Sequence, residues 1–287
     1  MSSPSGQAQE ATFRIQRDIV AALQDLQRAH YGSPTAWFAA PLVGVAGGAD
    51  PLFTDYKRHV GPDHWTPAEA FAAGFPGAAV AAEELAVVSW ILPHVEATRR
   101  ANRPEKAFPA ERWAQGKALG EALNVALRDR VVARFAAAGV DAVAPVNLPA
   151  WTQGPVSSVW SERHAAYAAG LGTFGLCDGL ITPLGKAMRC GSVVARSALA
   201  PTRRRYTDHH AYCLAYSEDR CRACAARCPV GAITSEGHDK EACRTYLREV
   251  EGDYLVPRFG IATSACGLCQ TGVPCESGIP ARRSPAG

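Results

Sequence analysis

The chain holds 287 residues with a formal net charge of +3; 47% of them are hydrophobic, yet no stretch approaches 18 consecutive apolar residues. These figures predict a core of good size, exclude a helical membrane span and say little about partners. Eight of the ten cysteines fall in the last 75 residues and none in the first 176, so two domains are expected, 1–200 and 201–287.

The opening Met1-Ser2-Ser3-Pro4-Ser5 has neither a basic nor an apolar leader pattern, which predicts a cytoplasmic protein whose thiols stay reduced and available as ligands. Phe13, Ile15, Ile19, Val20, Leu23 and Leu26 recur at helical spacing and predict an amphipathic helix over 11–29. Residues 31–64, rich in glycine and proline, read as a long surface loop, a lid or a cofactor cover. Thr66-Pro67-Ala68-Glu69 is a capping box with proline at the first helical position, so a short helix starts there and ends at Gly74 or Gly77. The apolar run Ala86–Pro93 reads as a buried strand. A long helix follows from Pro109 to its closing Gly139, and Asp141–Val146 reads as a second buried strand. Strand, long helix, strand predicts a βαβ unit in an α/β domain with a mainly parallel sheet.

Ser161–Gly170 reads as a short helix ending in glycine, followed by a loop and the strand-like segments Leu180–Thr182 and Cys190–Ala195. Gly170, Gly172 and Gly175 in that loop spell G-x-G-x-x-G. A dinucleotide fingerprint must follow a strand and open a helix, however, and this one closes a helix. The glycines instead let backbone approach a large planar cofactor or make a tight turn. Glu162, His164 and Tyr167 are the candidate proton donors, each with a capping or packing role as the alternative. Cys177, directly after the loop, reads as a small buried hydrophobe or a residue facing a cofactor, and Cys190 as a buried hydrophobe. Lys186 and Arg189, beyond the turn at Thr182–Gly185, read either as anion binders or as solvated turn residues. Arg203-Arg204-Arg205 reads as a solvated connection rather than a nucleic-acid contact, which needs a wider basic face.

The run Cys221-Arg-Ala-Cys224-Ala-Ala-Arg-Cys228-Pro229-Val-Gly-Ala-Ile233 is the half-motif of a bacterial ferredoxin. Thiolates at this spacing wrap three corners of an iron–sulfur cube or cross to a neighbouring cube, the proline ends the loop, and the small apolar run covers the sulfides. Cys213 upstream and Cys243, Cys266, Cys269 and Cys275 downstream bring the set to eight, which suits two [4Fe-4S] cubes. Exchange of the last cysteine of each motif, as in two-cluster ferredoxins, assigns Cys213, Cys221, Cys224 and Cys275 to one cube and Cys228, Cys243, Cys266 and Cys269 to the other. Four-cysteine zinc sites are the alternative, though zinc knuckles lack the Cys-Pro-x-Gly-Ala-Ile sequel.

Three pieces together resemble the epoxyqueuosine reductases and the cobalamin-dependent reductive dehalogenases: Ala169–Gly175, Cys221–Ile233, and Cys243 in the setting Asp239-Lys-Glu-Ala-Cys243-Arg-Thr-Tyr-Leu247. The resemblance implies an α/β (α+β) N-terminal cofactor domain and a C-terminal ferredoxin-like domain with two [4Fe-4S] clusters. It also implies base-off cobalamin near Gly170, Gly172, Gly175, Cys177 and Lys186. The clusters would pass single electrons to cobalt, which breaks a carbon–oxygen or carbon–halogen bond. An external one-electron donor such as ferredoxin or flavodoxin is implied, with a small-molecule substrate in preference to tRNA. The chain departs from the pattern in three places. The acid of the family's Asp-x-x-Pro segment has no counterpart in Thr152-Gln153-Gly154-Pro155, the helical-repeat extension of many tRNA-modifying members is not in this sequence, and the Cys213–Cys221 and Cys269–Cys275 spacings are long. The expectation is thus an iron–sulfur reductase, with a cobalamin-free electron-transfer or cluster-dependent binding protein as the rival.

Overall fold

In the computed structural model, which describes residues 4–282, the N-terminal helical period becomes α1 (Pro4–Tyr31), with Ile15, Ile19, Leu23 and Leu26 as its buried stripe. The loop expected over 31–64 is instead interrupted by a strand, β1 (Leu42–Gly47), and a helix, α2 (Leu52–His59). Two glycines in Leu-Val-Gly-Val-Ala-Gly dilute the strand signal, and Pro51 caps α2 where it reads in sequence as a breaker. The capping box forms as expected at α3 (Pro67–Gly74). Thr66 Oγ1 accepts from the Glu69 N–H, and the Glu69 carboxylate accepts from the Thr66 N–H at 2.7 Å.

The remaining elements of this part are β2 (Ala86–Pro93), α4 (Glu96–Asn102), α5 (Glu111–Ala136), β3 (Ala142–Val143), α6 (Glu162–Ala168), a two-stranded ribbon of β4 (Thr173–Phe174) and β5 (Leu180–Ile181), and β6 (Met188–Ala195). The main sheet has the order β1-β2-β6-β3, and every neighbouring pair is antiparallel. That corrects the parallel sheet expected from strand, long helix, strand. β2 and β3 do run in the same direction, but β6 lies between them, with Ala86 opposite Ala195 and Pro93 opposite Met188. The error has a physical source. All eight residues of β2 are buried, the pattern that parallel sheets show because helices cover both faces. Here helices cover both faces of an antiparallel sheet. Val88, Trp90 and Leu92 pack against Ile19, Leu23, Leu123 and Leu127 of α1 and α5, while Val87 and Ile91 pack against Phe53, Phe71, Trp160 and Ala165.

Beyond β6 come two single-turn helices, α7 (Leu214–Ser217) and α8 (Ala223–Ala226), then α9 (Lys240–Glu249). A π-helical turn at Val250–Leu255 leads into α10 (Val256–Phe259). Asp239 caps α9 by accepting from the Glu241 and Ala242 N–H groups. This cysteine-rich segment is fastened to α4 and α5. The buried Glu276 pairs with Arg103 at 2.6 Å, Asn102 donates to Thr271 at 3.1 Å, and the Arg227 guanidinium donates to the carbonyls of Leu268, Arg103, Asn102 and Glu105. Gly267, at φ +68°, lies so close under the Trp113 indole that a Cβ would fall 2.1 Å from it. Among the described residues no helix is long and apolar enough to cross a membrane.

Candidate functional site

α2, the 153–158 loop, α6 and α9 enclose a cleft of about 900 Å³, a size common for cofactor and substrate sites. Its wall is aromatic: the Tyr56 and His164 rings lie 4.8 Å apart, His164 and Phe174 4.9 Å, and Tyr167 and Phe174 5.6 Å. Tyr56 OH donates to the His164 carbonyl at 3.0 Å, and His164 Nδ1 lies 2.8 Å from Ser161 Oγ. Burial pushes His164 down to about 3 and the adjacent His64 down to about 4, so both rings are neutral at pH 7. Burial raises the Tyr167 hydroxyl.

The rest of the lining is largely cationic. Lys117, Arg163, Lys240, Arg244 and Arg248 face the cleft, against Asp55 and Asp178. Asp178 lies 3.3 Å from His238 and 3.5 Å from Lys240. His238 is pushed up to about 9, first by Asp178 and then by its hydrogen bond to Cys243, and so adds a further positive charge. Lys117 has no ion-pair partner among the described residues, and burial, reinforced by Arg189 and Arg163, lowers it to about 8. Sequence reasoning missed this lysine, because one cation on a long helix reads as solvated surface. Cys243 also lines the cleft, so a cysteine of the cysteine-rich segment borders the same cavity as the aromatic wall.

The candidate proton donors separate. His164 and Tyr167 line the cleft, whereas Glu162 turns into the protein. Its Oε1 accepts from Arg128 Nε at 2.9 Å and its Oε2 accepts from Ser192 Oγ, which in turn accepts from Trp160 Nε1 at 3.0 Å. Gln153, Gly154 and Pro155, from the segment without an acid, border the cleft. From the glycine loop Phe174 lines it too, whereas Gly170, Gly172 and Gly175 do not. A Cβ at Gly172 would sit 2.3 Å from the Ile181 carbonyl oxygen, Gly175 packs on Ile181, and Gly170 lies over Thr202 and Arg203. Lys186 is no turn residue: it is buried, and its Nζ lies 3.2 Å from Cys177 Sγ. Arg189 pairs with Glu121 and Arg204 with Asp50, so neither is a free surface cation.

The cysteines form two neighbourhoods. Cys177, Cys213, Cys224 and Cys275 are buried in one small apolar cluster, with Cys228 and Cys269 packed against it. Cys228, Cys243 and Cys266 form the other, close enough for the first two to raise the Cys266 thiol beyond the rise that burial alone produces. All ten cysteines are free thiols. Two sulfurs on one zinc, each at about 2.3 Å, cannot be more than about 4.6 Å apart. Among the described residues no three cysteine sulfurs lie within 4.8 Å of one another. Cys228 Sγ accepts the Ala232 N–H at 3.2 Å, a hydrogen bond of the kind that tunes cluster sulfurs. The thiolate set fits iron–sulfur clusters. At Gly172 the close approach of the Ile181 carbonyl leaves no room for a Cβ, a packing reason for glycine at that position.

No family model and no curated protein matches this sequence. Among solved structures, the catabolic reductive dehalogenase NpRdhA aligns at 17% identity with a TM-score of 0.50, over 83% of this chain and 30% of that one. The chain shares the fold of a reductive dehalogenase. A complex of the same dehalogenase with 3-bromo-4-hydroxybenzoic acid aligns over 94% of this chain and 37% of that one, at 14% identity and a TM-score of 0.50. An epoxyqueuosine reductase from Bacillus subtilis aligns at 15% identity and a TM-score of 0.48, over 96% of this chain and 68% of that one. This chain spans about a third of the dehalogenase's length.

Proposed function

We propose that the chain is an iron–sulfur reductase in which residues 201–287 hold two [4Fe-4S] clusters and residues 1–200 supply most of the cleft where the electrons are used. The observation that carries this reading is the shared wall: Cys243 lines the same cleft as Tyr56, His164, Tyr167 and Phe174. The clusters, when bound, accept and release single electrons taken from an external donor such as ferredoxin or flavodoxin. The chain's own residues do the rest. The aromatic wall takes an apolar or planar group, and Lys117, Arg163, Arg244 and Arg248 bind its negative charge. Lys117, with its affinity for the proton lowered by burial, donates a proton to the reduced product.

The cleft therefore favours a small aromatic or unsaturated anion over tRNA. Cobalamin rests on the shared fold alone, and the packing of Gly172 on Ile181 favours the cobalamin-free form of the reading. The test is a single turnover. Anaerobically reconstituted, dithionite-reduced protein is mixed with 3-bromo-4-hydroxybenzoic acid, with and without added cobalamin, and cluster bleaching and bromide release are followed. Reoxidation with stoichiometric bromide supports a reductase, and its dependence on cobalamin decides the cofactor. Reoxidation only by a partner redox protein would leave an electron carrier.

A further inference from the structure

Eight motif cysteines suffice for two cubes by count, yet the structure buries a ninth among them. Cys177 comes from the loop between β4 and β5, far along the chain from the ferredoxin motif, and is 5% exposed. Its sulfur sits in the same apolar cluster as Cys213, Cys224 and Cys275. Lys186, buried beneath it, donates to it at 3.2 Å. Its sulfur also lies within hydrogen-bonding reach of Cys224 and Cys269. A buried ammonium directed at a buried cysteine sulfur among other cysteines is an unusual thing to build for packing alone, because apolar residues would fill the space without the cost of desolvating the lysine charge.

Cys221 shows the opposite. It is partly exposed, adopts φ +75°, and is neither in the buried cysteine cluster nor among the partly buried hydrophobics packed against it. A positive φ at a non-glycine residue costs about 1 kcal/mol or more and turns a side chain from the direction that its spacing in the motif suggests. The place one residue of a second C-x2-C pair would take, three before Cys221, is filled by Glu218.

We propose that Cys177 is an iron ligand of the cluster beside Lys186, completing the set Cys177, Cys213, Cys224 and Cys275 in place of Cys221. Cys228, Cys243, Cys266 and Cys269 then hold the second cluster. Ligation replaces contacts between thiols and ammonium by iron–thiolate bonds. The thiol protons leave to solvent, and Lys186 stays as a hydrogen-bond donor to the coordinated sulfur. The α/β part thereby contributes a covalent ligand to a centre otherwise built from the tail, which joins the cluster to β5 and to the strand leading from Lys186 into the sheet.

This inference rests on the two-cluster reading, and the experiment separates the two. Wild type, Cys177→Ala, Cys177→Ser and Cys221→Ala are each purified as the full chain and reconstituted anaerobically. Iron and acid-labile sulfide are counted, and the dithionite-reduced proteins are examined by low-temperature electron paramagnetic resonance. The expected result is about eight irons in wild type and in Cys221→Ala, about four in Cys177→Ala, and an altered signal from one cluster in Cys177→Ser, whose hydroxyl keeps the side-chain volume and so the fold. Eight irons with the wild-type spectrum in Cys177→Ser, or a loss of four in Cys221→Ala, would overturn the assignment of Cys177 while leaving two clusters in place. A wild-type protein that takes up no iron would overturn both.

Discussion

Replacing Glu162 with alanine removes a carboxylate from the interior rather than from the cleft, and its effect can be worked from its partners. Arg128 is 2% exposed and receives its charge balance from Glu162 at 2.9 Å and Glu121 at 3.3 Å, with Asn147 Oδ1 at 3.2 Å as a neutral acceptor. Breaking a buried pair by deleting one partner costs about 3–5 kcal/mol because the other charge is left uncompensated. Glu121 and Asn147 remain, so the lower end, about 3 kcal/mol, is expected, including the loss of the acceptor for Ser192. Glu162→Gln keeps an acceptor oxygen and the volume, and should cost about half as much. With a urea m-value of roughly 3 kcal/mol/M, the alanine variant should unfold about 1 M earlier and the glutamine variant about 0.5 M earlier. Both should keep their cleft chemistry per folded molecule. A glutamine variant of wild-type stability that has lost turnover would instead make Glu162 a proton donor.

Three further outcomes follow from the same geometry. Gly172→Val should destabilise the fold by about 1–3 kcal/mol, through contact with the Ile181 carbonyl, while the folded fraction binds cleft ligands normally; weakened binding at unchanged thermal stability would place the loop at the cofactor after all. His64, His94 and His164 are buried neutral, at about 4, 3 and 3 against 6.5 when unfolded. Their contribution is therefore complete above pH 6.5 and should fall by about 1.4 kcal/mol per histidine for each pH unit from there toward pH 4; flat urea midpoints across that range would contradict this. Lys117 must be protonated to bind or to donate, so turnover and anion affinity should fall as pH rises through about 8, and Lys117→Met should remove that limb; an unchanged pH profile in the variant would exclude the lysine.

The cysteine motif was legible because it is local: C-x2-C-x3-C-P is written in consecutive residues, and so are the capping box at Thr66 and the period of α1. The sheet was not, because full burial of β2 records two covered faces without recording strand direction, and β6 enters between β2 and β3 from much later in the chain. Glu162 was misplaced for a similar reason. Its helix was read correctly, but the partners that turn it inward, Arg128 and Ser192, lie on α5 and β6. Lys117 and Cys177 acquire their significance only through neighbours distant in sequence. No pattern around either announces it.

Metal analysis of the protein purified without oxygen shows whether this chain carries iron–sulfur clusters beside its cleft. Iron, zinc and acid-labile sulfide counted on one preparation should give about eight irons and about eight sulfides per chain, with an absorption that bleaches on dithionite addition. Stoichiometric zinc without sulfide, and no bleaching, would contradict the account.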